Sequence, residues 1–145
     1  MLRAAIAAVA VLSAALPTAG AGRLRPKDIH ALPVSAPSLV QNYGSDPLQY
    51  GELRLPAGKG PFPVAVVIHG GCWTKGFDTL RGTAPIASAL AAKGIATWNV
   101  EYRQVGDPGG GWPGSFQDWG AATDHLRVLA RSHRLDLNRV VTVGH

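Results

Sequence analysis

One cysteine, Cys72, stands among 145 residues, so no internal disulfide can brace the fold and packing has to hold it. No apolar run reaches the roughly 20 residues that a comfortable bilayer span needs. Ala4 to Leu16 is the longest candidate and stops at Pro17. The histidines (His30, His69, His125, His133 and His145) show no His-Glu-x-x-His or paired spacing, and no metal centre is expected. No Gly-x-Gly-x-x-Gly or Walker-type loop opens a helix. Gly109-Gly110-Gly111 runs into Trp112-Pro113 instead, which excludes a nucleotide cofactor of that kind. Charged residues make up only 16%, and the net charge of +5 comes from scattered bases. Arg127, Arg131 and Arg134 recur at helical spacing without interleaved aromatics to stack bases, so they read as a solvated helix face rather than a nucleic-acid footprint.

The N-terminus is positively informative. Arg3, the short apolar run, and Ala19-Gly20-Ala21 together have the layout of a secretory signal peptide. No twin arginine precedes the run and no cysteine lies near the cleavage site, which argues against lipidation. Residues 1–21 are therefore expected to be removed after Ala21. The product would be secreted or periplasmic, with no stable membrane span. Residues 22–37, carrying Pro26, Pro33 and Pro37 and no period, read as an extended linker or arm, and 38–145 as the folded region.

Within 38–145 the pattern changes twice. Ser38–Tyr43 and Leu48–Leu55 are short strand candidates around the turn chemistry of Gly44-Ser45-Asp46-Pro47. In the second, Tyr50, Glu52 and Arg54 alternate with Gly51, Leu53 and Leu55, which predicts an antiparallel strand with one wet face. Val64–Ile68 is continuously apolar, as in a parallel strand buried on both faces. Leu80, Ala84, Ala87, Leu90 and Ala91 follow a helical period, with Pro85 expected to delay the regular helix to Thr83 or Ala84. Ile95–Val100 reads as a strand continuing through Arg103. A helix follows from Ser115 to about Ala130, with Ser115 and Asp118 as a capping pair and Trp119 in its apolar stripe. Asp136-Leu137-Asn138 then turns into a last strand, Val140–Val143. Strands alternating with helices on short connections predict an α/β fold, a mostly parallel sheet with helices on both faces.

His69-Gly70-Gly71 directly after the buried strand, with Cys72 and Trp73 following, resembles the oxyanion loop of α/β-hydrolase esterases and lipases. The string His-Gly-Gly-x-Trp is similar to that of the kynurenine-formamidase-like branch. Trp98–Arg103 and Gly109–Gly114 resemble bacterial carboxylesterases of the feruloyl-esterase-like group. Val143-Gly144-His145 resembles the start of a Gly-x-Ser-x-Gly elbow, so that the nucleophile would be the residue after His145, and the chain the N-terminal half of a hydrolase domain.

The resemblance implies a serine hydrolase that acts on a small-molecule ester or amide through an acyl-enzyme, with no cofactor. The backbone N–H groups of Gly70, Gly71 and Cys72 are the oxyanion-hole candidates. Donors fixed at that position are worth roughly 3 to 4 kcal/mol each, and glycines let a substrate approach them. His69 shapes the loop and is not the base, because the family's base follows its nucleophile in the chain. By the same order His145, Asp118 and Asp124 fall outside the triad. Cys72 lines the site and is not the nucleophile. Trp73 and Trp112 either line a substrate pocket or cover the sheet. The alternatives are a non-catalytic binding or scaffold protein on the same fold, or an inactive truncated product.

Overall fold

The computed structural model describes residues 25–144. The proposed signal peptide and His145 lie outside those residues. Five strands form one sheet in the order β1-β2-β4-β3-β5: β1 (Leu39–Asn42), β2 (Tyr50–Arg54), β3 (Phe62–Ile68), β4 (Ala96–Val100) and β5 (Leu135–Gly144). β2 runs antiparallel to both β1 and β4, while β3 pairs in parallel with β4 and β5. Helices α1 (Pro26–His30), α2 (Leu80–Ala92), α3 (Gly114–Asp124) and α4 (Leu126–Ser132) complete the described chain.

The two faces of β3 divide the core. Val64 and Val66 join Trp98, Val100, Leu126 and Leu129 under α3 and α4, whereas Ala65 and Val67 meet Ala87 of α2. This is why Val64–Ile68 shows no alternation: both faces are covered. Trp98 fills the first face fully buried and donates its indole N–H to the Ala122 carbonyl at 3.0 Å. Two residues along β2 from Leu53, the register partner of Trp98, Gly51 is required, since a Cβ there would lie 2.7 Å from the Trp98 ring.

Several boundaries differ from the sequence expectation. Among the described residues of the expected arm, Pro26–His30 forms a helical turn instead of extended chain, and the Asp28 carboxylate accepts the Arg25 N–H at 2.9 Å. The face of β2 expected to be wet is partly covered, and Arg54 is buried, donating to the Ser35 carbonyl and to Glu52. Helix α2 starts at Leu80 and not near Pro85, capped by Thr79, whose hydroxyl accepts from the Arg81 N–H. The helix around Ser115 is two helices meeting at His125, and neither Ser115 nor Asp118 caps it. β4 ends at Val100, so Glu101–Arg103 lie beyond the ladder. The Asp136-Leu137-Asn138 turn sits inside β5 as an irregularity, between the Phe62–Leu135 and Val64–Val140 pairs.

Candidate active site

The C-terminal ends of β3, β4 and β5 converge, with Ile68 level with both Val100 and Gly144. In α/β sheets this edge is where ligands bind. The chain leaving β3 there turns sharply: Gly71, Cys72 and Trp73 have φ values of 100, 52 and 58°, the last two in the left-handed region that non-glycine residues seldom adopt. The Thr74 N–H closes the turn on the Gly71 carbonyl at 3.0 Å, and the Val105 N–H donates to the Trp73 carbonyl at 2.6 Å. Among the described residues, none of the N–H groups of Gly70, Gly71, Cys72 and Trp73 has an acceptor. Successive free donors in a left-handed turn make a concave anion-attracting nest.

The loop is held from below by His69, which is 1% exposed. Its Nδ1 lies 3.0 Å from the Gly70 carbonyl and its Nε2 2.8 Å from Glu101 Oε1. The ring stacks on Tyr102 at 4.3 Å, and the Tyr102 hydroxyl donates to the His69 carbonyl at 2.9 Å. Burial, aided by the Glu101 and Asp78 carboxylates, pushes that hydroxyl up to about 12, so it stays protonated and donating at neutral pH. With both ring nitrogens engaged and no exposure, His69 has no lone pair to offer a reacting group.

Beyond Tyr102 an aromatic cluster continues to the surface. Trp119 packs edge-on to Tyr102 at 5.3 Å and to Trp73 at 5.8 Å, and Phe116 lies between Trp73 (5.1 Å) and Trp112 (5.0 Å). Trp73 is 44% and Trp112 81% exposed, so they form the outer rim of this wall. Trp119, expected in the core, is half-buried within the cluster. On the other side of Gly71 an apolar cavity of about 460 Å³ opens between Ile68, Phe77, Ile86 and Val143. Cys72 is exposed on the loop.

The loop after β4 is pinned by the residues expected to cap α3. Asp118 accepts from the Arg103 backbone N–H at 3.0 Å, from its guanidinium at 2.6 and 2.9 Å, and from Gln49 at 2.7 Å. Burial alone would raise the Asp118 carboxyl, but Arg103 and Gln49 hold it below the usual carboxylate range. The Ser115 hydroxyl accepts from the Gly111 N–H and donates to the Arg103 carbonyl.

Sequence reasoning gave Glu101, Tyr102 and Phe116 no part in the site. For Glu101 a signal was present: a carboxylate directly following a buried strand, at the ligand-binding edge of the sheet.

Comparison with known proteins agrees with this architecture. The chain is 30% identical over 104 residues to the esterase LipC of Mycobacterium tuberculosis, an alignment covering 70% of this chain and 25% of LipC. Among solved structures, a bacterial heroin esterase matches with a TM-score of 0.54 and 30% identity over 66% of this chain and 29% of that one. Esterase B from Lactobacillus rhamnosis matches with a TM-score of 0.64 and 26% identity, over 82% of this chain and 40% of that one. The chain therefore spans about a quarter to two-fifths of the length of these relatives. The BD-FAE family profile covers residues 52–145, more than half of the chain, from within β2 through the Gly70–Trp73 loop and past the end of β5. By that match and by its sheet, the chain belongs to the BD-FAE family and has an α/β-hydrolase fold.

Proposed function

We propose that this chain forms the oxyanion-loop portion of a secreted serine esterase that cleaves small carboxylic esters through an acyl-enzyme. The observation that carries the reading is the row of N–H groups from Gly70 to Trp73, set at the end of β3, that have no acceptor among the described residues. Ile68 is level with Gly144, and neighbouring strands lie about 4.8 Å apart, so a nucleophile following β5 would stand beside the loop. Attack by a serine hydroxyl on the ester carbonyl moves charge onto the carbonyl oxygen. The Gly71 and Cys72 N–H groups, with Gly70 alongside, receive it. Collapse expels the alcohol, and water then releases the acid from the acyl-enzyme. Nucleophile, acid and base would be supplied from beyond His145. The Trp73, Phe116 and Trp112 wall suits the apolar part of an ester, while Cys72 contributes its backbone only. Esterase activity in relatives of this fold favours ester over amide substrates.

The test is hydrolysis of a nitrophenyl ester by the protein whose coding sequence is read through past His145. Activity that vanishes when the residue after His145 is replaced by alanine supports the reading. A non-nucleophilic residue there, or no ester hydrolysis, rejects it in favour of a binding or scaffold role. Export is tested separately: the mature protein should begin at Gly22, and a membrane-bound product retaining Met1 would reject it.

A further inference from the structure

We infer that Glu101 is a positioning residue for the oxyanion loop, a role resting on the proposed esterase function. Its side chain is 5% exposed and joins the segment after β3, the segment after β4 and the start of α2 through one carboxylate. Oε1 lies 2.8 Å from His69 Nε2 and accepts the Tyr102 N–H at 3.1 Å, while Oε2 accepts the Leu80 N–H at 3.1 Å. Leu80 is the first residue of α2, whose leading N–H groups have no partner within the helix. The carboxylate thus meets the positive end of that helix as well as the imidazole. Its backbone is fixed independently: the Glu101 N–H donates to the Tyr50 carbonyl at 2.9 Å, and the Tyr43 hydroxyl donates to the Glu101 carbonyl at 2.7 Å.

The consequence reaches the loop through His69. The Gly70 carbonyl can only accept, so His69 Nδ1 carries a hydrogen toward it, and one proton between Nε2 and Oε1 completes the chain. The ring, clamped at both nitrogens and stacked on Tyr102, fixes the orientation of the Gly70 peptide. That peptide includes the Gly71 N–H, the first donor of the left-handed turn. Removing the carboxylate frees the imidazole to rotate and lets the donors wander from the place where the oxyanion forms. Reaction geometry is sensitive to such shifts: a displacement of about 1 Å costs on the order of a hundredfold in rate.

The experiment compares wild type, Glu101→Ala and Glu101→Gln in the read-through protein, with kcat normalised to active sites titrated by an organophosphonate. Glu101→Ala should lower kcat per titrated site by roughly ten- to a hundredfold with little change in KM. His69→Ala should give a similar loss, and the double variant no more than either alone. Glu101→Gln should recover most of the rate. Its amide oxygen can still accept from Leu80 and its NH2 can donate to a neutral imidazole, at the cost of the Tyr102 bond. A purely structural Glu101 would lower the melting temperature and the titratable fraction but leave kcat per site unchanged, and that result overturns the inference. Amide hydrogen exchange at Gly70–Trp73 gives a readout that does not need turnover. It should speed up in both variants, more in Ala, and unaltered exchange also overturns the inference. Should Glu101→Ala fail to fold, Glu101→Gln decides alone: wild-type kcat with wild-type exchange rejects the role. A wild type that cleaves no ester rejects the proposed function, while the exchange measurement still reports on Glu101.

Discussion

At the scale of single residues, the loop from Gly70 to Trp73 separates backbone work from side-chain work. Gly71 has φ of 100°, and a Cβ there would come within 3.0 Å of Phe77 Cβ and 3.2 Å of the Asp78 nitrogen. Gly71→Val is thus strained in its dihedral and crowded against the next turn. On the proposed mechanism it should lower kcat by on the order of a hundredfold or more, with a far smaller change in KM, because the donor it would remove acts mainly in the transition state. Cys72→Ala should keep most activity, since the thiol is exposed and the proposed mechanism uses only the N–H. Nitrophenyl-ester kinetics on the two variants check this, and an inert Cys72→Ala beside an active Gly71→Val would point instead to a thiol nucleophile. The motif residues could be read from sequence because their spacing is local. The His69–Glu101 pair could not, since 32 positions separate its members and only the level ends of β3 and β4 bring them together.

At the scale of elements, the long apolar runs and the helix beginning near Ser115 were legible, whereas the start of α2 and the break at His125 were not. Val64–Ile68 declared itself because burial on both faces leaves only apolar residues. The start of α2 before Pro85 depends on partners distant in sequence: Glu101, which accepts from the Leu80 N–H, and Asn99, which donates to the Leu80 carbonyl and accepts from the Thr83 hydroxyl. Ser115 and Asp118 looked like a cap because their spacing fits one, but the fold uses them to anchor the loop after β4. That use carries a pH signature. The Asp118 carboxyl lies below its ordinary value in the folded chain. Above the unfolded value of about 3.9 its bonds to Arg103 and Gln49 count fully. As pH falls, the unfolded state takes up the proton first, so this stability is lost as pH drops through the folded value. Urea midpoints should therefore decline below about pH 4. Asp118→Asn should be less stable at neutral pH by on the order of 3 kcal/mol, because it leaves Arg103 without its counter-charge. Its decline in acid should also be shallower; a slope equal to wild type would show that other carboxylates dominate.

At the scale of the whole molecule, the α/β sheet could be anticipated from strands alternating with helices, and the observed order β1-β2-β4-β3-β5 leaves β5 at an edge among the described residues. Its partner β3 is covered on both faces, but β5 is not: Val140, beside Val64, is 40% exposed and Val141, beside Ala65, is 53% exposed. Leu137 adds a further 42% exposed apolar side chain at the irregularity. An apolar strand with an unpaired edge and both faces open is a template for pairing with another chain. Expressed as these 145 residues, the protein should associate in a concentration-dependent way, or populate a loosely packed state with weak near-UV dichroism and dye binding. Val141→Lys places a charge on the open strand without touching Val64 or the core under α3 and α4. It should reduce association while leaving far-UV dichroism unchanged. Light scattering across a concentration series decides between these outcomes. A monomer of wild-type sequence that melts sharply, at a temperature independent of concentration, would show that the sheet through β5 is self-sufficient and that its edge is protected by some other means.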